Sequence, residues 1–158
     1  MTRCHSEDIP WSNQSSPKGV FGVQRRALSQ AAGCPKDKGT WAGGHPFELE
    51  IHCVPPGKIN FPFHEHSAQW EAYYILSGKG QVRTEDGKNK IKAGDYLVFQ
   101  PGQAHQLINN STEDLTFIVI ADQPVSDAIH YPESGKWLMK PQKSCFVMKD
   151  IEYFEGEE

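Results

Sequence analysis

Four side chains in the middle of the sequence are of the types that bind borderline divalent metals: His64, His66, Glu71 and His105. His64 and His66 are two apart, and on an extended strand that spacing puts both imidazoles on one face. Imidazole nitrogen is the commonest protein ligand for such metals. Glu71 follows after the short polar stretch 67–70 and adds an anionic oxygen. His105 lies one hairpin further on and supplies a third imidazole. Three neutral imidazoles and one carboxylate on a divalent ion leave a net charge of about +1, and a six-coordinate metal keeps two positions open for water, O₂ or a chelating substrate. The expectation is that the four ligating atoms converge to within reach of one ion at about 2.0–2.3 Å. An H-x-H pair alone is more often coincidence than a site, and the residues by themselves leave metal binding an open choice.

The elements that must position these residues read as short strands. Phe47 to Val54 alternates apolar and polar and is stopped by Pro55-Pro56-Gly57. Ile59 to His66 is a second extended segment, with Pro62 arguing for an edge or a bulge. Strands follow at Glu71 to Leu76, Gly80 to Thr84, Asn89 to Lys92, Tyr96 to Phe99, His105 to Ile108 and Leu115 to Ile120, with turns at Asp86-Gly87 and Pro101-Gly102. Strands at this spacing, with no amphipathic helix between them, predict an all-β barrel or sandwich. The chain divides into an N-terminal arm (1–45), a β-barrel core (46–122) and a C-terminal extension packed on the barrel (123–158).

Composition removes several classes of function. A chain of 158 residues suits one domain. The net charge is −4 and no Lys/Arg-rich run is present, so no nucleic-acid partner is expected. No apolar run approaches the ~18 residues of a membrane span, so no membrane partner is expected. The polar N-terminus has no apolar signal core, which predicts a cytoplasmic protein. The four cysteines, Cys4, Cys34, Cys53 and Cys145, are widely spaced and read as free thiols.

The run Gly57-x6-His64-x-His66-x4-Glu71-x6-Gly78 resembles the first motif of the cupin superfamily, with one extra residue after the first glycine. Gly94-x5-Gln100-Pro101-Gly102-x2-His105-x3-Asn109 resembles the second, with Gln100 where the family usually has proline. The resemblance covers about Phe47 to Ile120, and the text around Phe61–His64 and Tyr131–Trp137 is similar to small bacterial cupins without an assigned reaction. It implies a double-stranded β-helix, or jelly roll, with one divalent ion (Fe, Mn, Zn or Ni) held by His64, His66, Glu71 and His105 inside the barrel mouth.

Fold does not give function, and three readings stand. The first is a metal-dependent enzyme of oxygenase or isomerase type, acting on a small polar or anionic molecule. The second is a binding or sensory module that captures such a ligand without turnover. The third is a metal with a purely structural role. Gln69, Trp70 and Tyr73 are candidates for the substrate pocket. Packing is the alternative for Trp70, and a backbone partner the alternative for a buried Tyr73. His52, among alternating apolar residues, reads as a core or surface histidine rather than a fifth ligand. No second catalytic group stands out. If His64 and His66 face inward, Phe61, Phe63 and Glu65 face outward. Glu71 and Tyr73 share the inward parity, and Ala72, Tyr74 and Leu76 form an apolar outer face. A homodimer covering that face is expected, with the arm able to cross to the partner.

Overall fold

A computed structural model describes all 158 residues. Its thirteen strands are β1 (Ser12–Ser15), β2 (Gly22–Ala27), β3 (Phe47–Val54), β4 (Glu65–His66), β5 (Glu71–Ser77), β6 (Lys79–Thr84), β7 (Gly87–Lys92), β8 (Tyr96–Phe99), β9 (Gln106–Ile108), β10 (Leu115–Asp122), β11 (Asp127–Tyr131), β12 (Lys136–Lys140) and β13 (Ser144–Val147). The only α-helix is a single turn, Leu28–Ala31. No helix is long and apolar enough to cross a membrane.

The strands form a six-stranded sheet in the order β1-β2-β3-β10-β5-β8, a four-stranded sheet β13-β12-β11-β4 and a three-stranded sheet β7-β6-β9. All pairings between named strands are antiparallel. The architecture is the all-β double-stranded β-helix. Val54, Ile75, Leu107, Leu115 and Phe117 fill the closed end of the barrel, between the six-stranded and three-stranded sheets. Burying each such side chain fully contributes about 1.5–3 kcal/mol. The other end, between the six-stranded and four-stranded sheets, is held open and carries the polar groups.

The segment 59–66 departs from the strand expected there. Only Glu65–His66 is a strand, preceded by isolated bridges at Ile59 and His64. Pro62 has no N–H to give to a ladder, so alternation is lost between the two bridges. Parity then fails at Phe61, which turns inward and packs at 6.0 Å (ring centroids) from His52, while Phe63 is buried under the Arg83 guanidinium. Residues 1–45, the N-terminal arm, contain β1, β2 and the single helical turn. β1 and β2 extend the main sheet of their own chain by pairing onto β3.

The outer face of the six-stranded sheet is bare. The register aligns Ile51, Ile118, Tyr74 and Tyr96 in one row and Leu49, Ile120, Ala72 and Val98 in the next. Tyr74, Leu76, Tyr96, Val98 and Ile120 are all exposed.

Candidate metal centre

The backbone locks the four residues before any ion is considered. His64 and His105 face each other across a two-bond bridge, His64 N–H to the His105 carbonyl at 3.3 Å and His105 N–H to the His64 carbonyl at 2.9 Å. His66 pairs with Ile129 of β11, and its carbonyl accepts the Gly102 N–H at 2.8 Å, at a turn where φ is +81° and glycine carries no strain. Glu71 sits between Phe99 and Ala121 in the main sheet. The Phe99 ring stacks on His105 with centroids 3.9 Å apart and fixes its orientation.

Each imidazole spends its Nδ1 proton on an oxygen acceptor. His64 Nδ1 donates to the Pro62 carbonyl at 2.8 Å, His66 Nδ1 to Asp127 Oδ2 at 2.6 Å, and His105 Nδ1 to the Gln103 carbonyl at 3.0 Å. A neutral imidazole carries one N–H, so each of the three rings, in its neutral form, presents Nε2 as a lone pair. Those Nε2 atoms lie 3.9 Å (His64), 3.5 Å (His66) and 3.0 Å (His105) from Glu71 Oε2. The ligating atoms of His64, His66 and Glu71 lie within 4.8 Å of one another. The one neutral donor aimed in is the Tyr73 hydroxyl, which donates to Glu71 Oε2 at 2.7 Å and lies 3.1 Å from His105 Nε2. Lone pairs converging beside a carboxylate form a donor set that fits a divalent metal ion.

Without metal, a proton takes that role. Burial pushes His66 down, but the hydrogen bonds its ring donates to the Asp127 and Glu71 carboxylates more than reverse this and raise its pKa to about 9. Burial, aided by repulsion from His105, lowers His64 to about 4. Burial would raise Glu71, yet hydrogen bonding to His105 and His66 holds it well below the carboxylate range.

Asp127 is the residue that sequence reasoning missed. Beyond His66 it accepts the Ala68 N–H at 2.9 Å and the Gln69 N–H at 3.3 Å. Although burial opposes it, His66 and then the Ala68 amide bring its pKa to about 2. Of the pocket candidates, Gln69 lines the cavity above the metal centre, Tyr73 lies buried against Glu71 and His105, and Trp70 is exposed and does not line the cavity.

The cavity holds about 360 Å³ and is lined by His64, His66 and Glu71 together with Glu50, His52 and Arg25. Four cations line it: Arg25, Lys36, Lys140 and Lys143. Arg25 is paired with Glu50 at 3.1 Å and Lys143 with Asp37 at 2.5 Å. Lys140 is bonded to the Gln69 amide oxygen at 3.0 Å, so no carboxylate neutralises it there.

Residues 50–121 match the Cupin domain family. An oxalate-binding protein of Thermotoga maritima is 38% identical over 68 residues, which are 42% of this chain and 54% of that one. The chain thus spans about half the length of the curated relatives it matches. A crystal structure of a predicted oxalate decarboxylase from T. maritima superposes with a TM-score of 0.62 at 25% identity, covering 78% of this chain and 99% of that one. A putative sugar phosphate isomerase from Acidithiobacillus ferrooxidans superposes with a TM-score of 0.76 over 92% of this chain and 90% of its own; at 24% identity the likeness is one of fold.

Proposed function

We propose, for a chain that belongs to the cupin superfamily, that His64, His66, Glu71 and His105 hold one divalent metal ion and that the cavity above it takes a small anionic molecule. The observation that carries this reading is the convergence of three Nε2 lone pairs on the Glu71 carboxylate. The bound ion would supply Lewis-acid polarisation of a chelating ligand. The chain's own contribution is orientation and charge: Asp127 holds the His66 ring, Phe99 holds His105, and Lys140 places a cation without a carboxylate partner in the cavity.

Oxalate is the first probe, on the similarity to the oxalate-binding relative. Protein loaded with Mn(II) is expected to bind oxalate in isothermal titration, and Lys140→Met to weaken that binding about tenfold, the value of one hydrogen bond to a charged group. Protein that holds the metal but gives no oxalate heat at millimolar concentration would contradict the choice of anion. The second reading, capture without turnover, is favoured by the same relative. Recovery of ¹³C-oxalate unchanged after long incubation supports capture, whereas release of formate and carbon dioxide with uptake of one proton supports turnover.

The partner in this reading is a second copy of the chain, seated on the bare face of the main sheet. Half-exposed antiparallel sheets ordinarily alternate apolar and polar residues, and the rows through Tyr74 and Ile120 do not. Light scattering at micromolar concentration is expected to give a dimer, and the pair Tyr74→Glu with Tyr96→Lys a monomer. A wild-type monomer rejects the dimer.

A further inference from the structure

The same cavity is lined by a polar group that the proposed metal site does not use. Glu50 and His52 point inward from β3, and Arg25 is the direct cross-strand partner of His52 in β2. His52 is 4% exposed. Its Nε2 is bonded to Glu50 Oε2 at 2.7 Å, and Glu50 Oε1 accepts from Arg25 Nη2 at 3.1 Å. Two atoms of this group are left over. His52 Nδ1 and Arg25 Nε are both buried without a hydrogen-bond partner.

The leftover atoms are of opposite kind. Arg25 Nε–H is a donor and cannot be anything else. Burial lowers the His52 pKa despite the adjacent Glu50, so the ring is neutral. Burial raises Glu50, but His52 and Arg25 outweigh it and keep the carboxylate ionised. A carboxylate only accepts, so the single ring proton of His52 resides on Nε2 and Nδ1 is an acceptor. One donor and one acceptor on directly opposed residues, whose Cβ atoms stand about 5 Å apart, match a single hydroxyl group, which both accepts and donates. An unmade bond at such buried atoms is costly.

The register places the group: His52 and Ile75 flank Phe117 in one inward row, Glu50 and Tyr73 flank Val119 in the next, and Glu48 and Glu71 flank Ala121 in the third. Two strand spacings separate the β3 and β5 backbones by about 10 Å, and the short side chains of Val119 and Ala121 line the cavity beside Glu50 and Glu71, with Phe117 packed next to His52.

We propose that Arg25 and His52, with Glu50 fixing the His52 tautomer, form a hydroxyl subsite, so that the ligand of this cavity is a small hydroxy acid: its carboxylate end on the metal and a further hydroxyl on Arg25 and His52. This deepens the metal-and-anion reading and rests on it.

Matched probes test it. L-Lactate against L-glycerate, and 2-hydroxybutyrate against 2,4-dihydroxybutyrate, share a chelating end and differ by one remote hydroxyl. On Mn(II)-loaded protein the hydroxylated member of at least one pair is expected to bind about five- to tenfold more tightly, as one or two hydrogen bonds provide. His52→Leu brings that ratio to near one. Arg25→Met, at a half-buried position, reduces it as well and serves if His52→Leu does not fold. Ratios near one for the wild type in both pairs overturn the subsite while leaving the metal-and-anion reading standing, as does a preference that survives both substitutions. Failure of all four probes to bind to metal-loaded protein overturns both.

Discussion

Replacing His66 with alanine is expected to take bound metal from about one ion per chain to less than a tenth of that after dialysis, because four ligands leave no reserve when one is lost. Atomic emission on the dialysed protein measures it. The proton balance provides a second readout. His66 in the metal-free protein keeps its proton up to about pH 9, and a ligating imidazole must be neutral. Metal therefore competes with that proton: the apparent affinity rises with pH from 7 to 9 and flattens above, and titrations in buffers of different ionisation enthalpy report proton release at pH 8. In His66→Ala both the stoichiometry and that proton release disappear. Retention of one ion per chain in a folded His66→Ala protein contradicts a shared site.

Asp127→Asn is expected to weaken metal binding 10- to 100-fold, the usual cost of losing the carboxylate that orients a ligating histidine. The carboxylate receives the His66 Nδ1 proton on Oδ2 and the Ala68 and Gln69 amides on Oδ1. An asparagine cannot serve both sides. If its oxygen keeps His66, its NH₂ confronts two N–H donors; if its oxygen keeps the amides, its NH₂ confronts the His66 N–H. Competition titration with a chromophoric chelator gives the affinity, and NMR of the metal-free protein is expected to show the His66 pKa falling below about 9. An unchanged affinity would mean that the packing of β4 on β11 alone holds the ring.

The strands that carry the centre were legible because their signals are local. Alternation over Phe47–Val54, glycine and proline at the turns, and the two-apart histidines are patterns within one segment. Asp127 left no such signal. It reaches His66 only because β11 pairs with β4 across 61 residues of sequence. The Arg25–His52 pairing depends in the same way on β2 joining the main sheet, and a pattern of Val23, Gln24 and Arg25 in an otherwise polar arm does not announce which strand it meets. For His52 the sequence predicts a core or surface histidine. It is buried, but beside Glu50 in the cavity wall, an assignment that needs the β3–β10 register. Phe61 departs from strand parity because no ladder runs through Pro62 to enforce it.

The most direct test of the central claim is a crystal structure of the Mn(II)-loaded protein with anomalous data collected at the metal edge. One anomalous peak is predicted, about 2.0–2.3 Å from the Nε2 atoms of His64, His66 and His105 and from a Glu71 carboxylate oxygen, with at least one further coordination position open to the cavity that Arg25, His52 and Lys140 line. A peak elsewhere on the chain, a peak from which His105 points away, or an ion closed off by four protein ligands in a tetrahedron would contradict it.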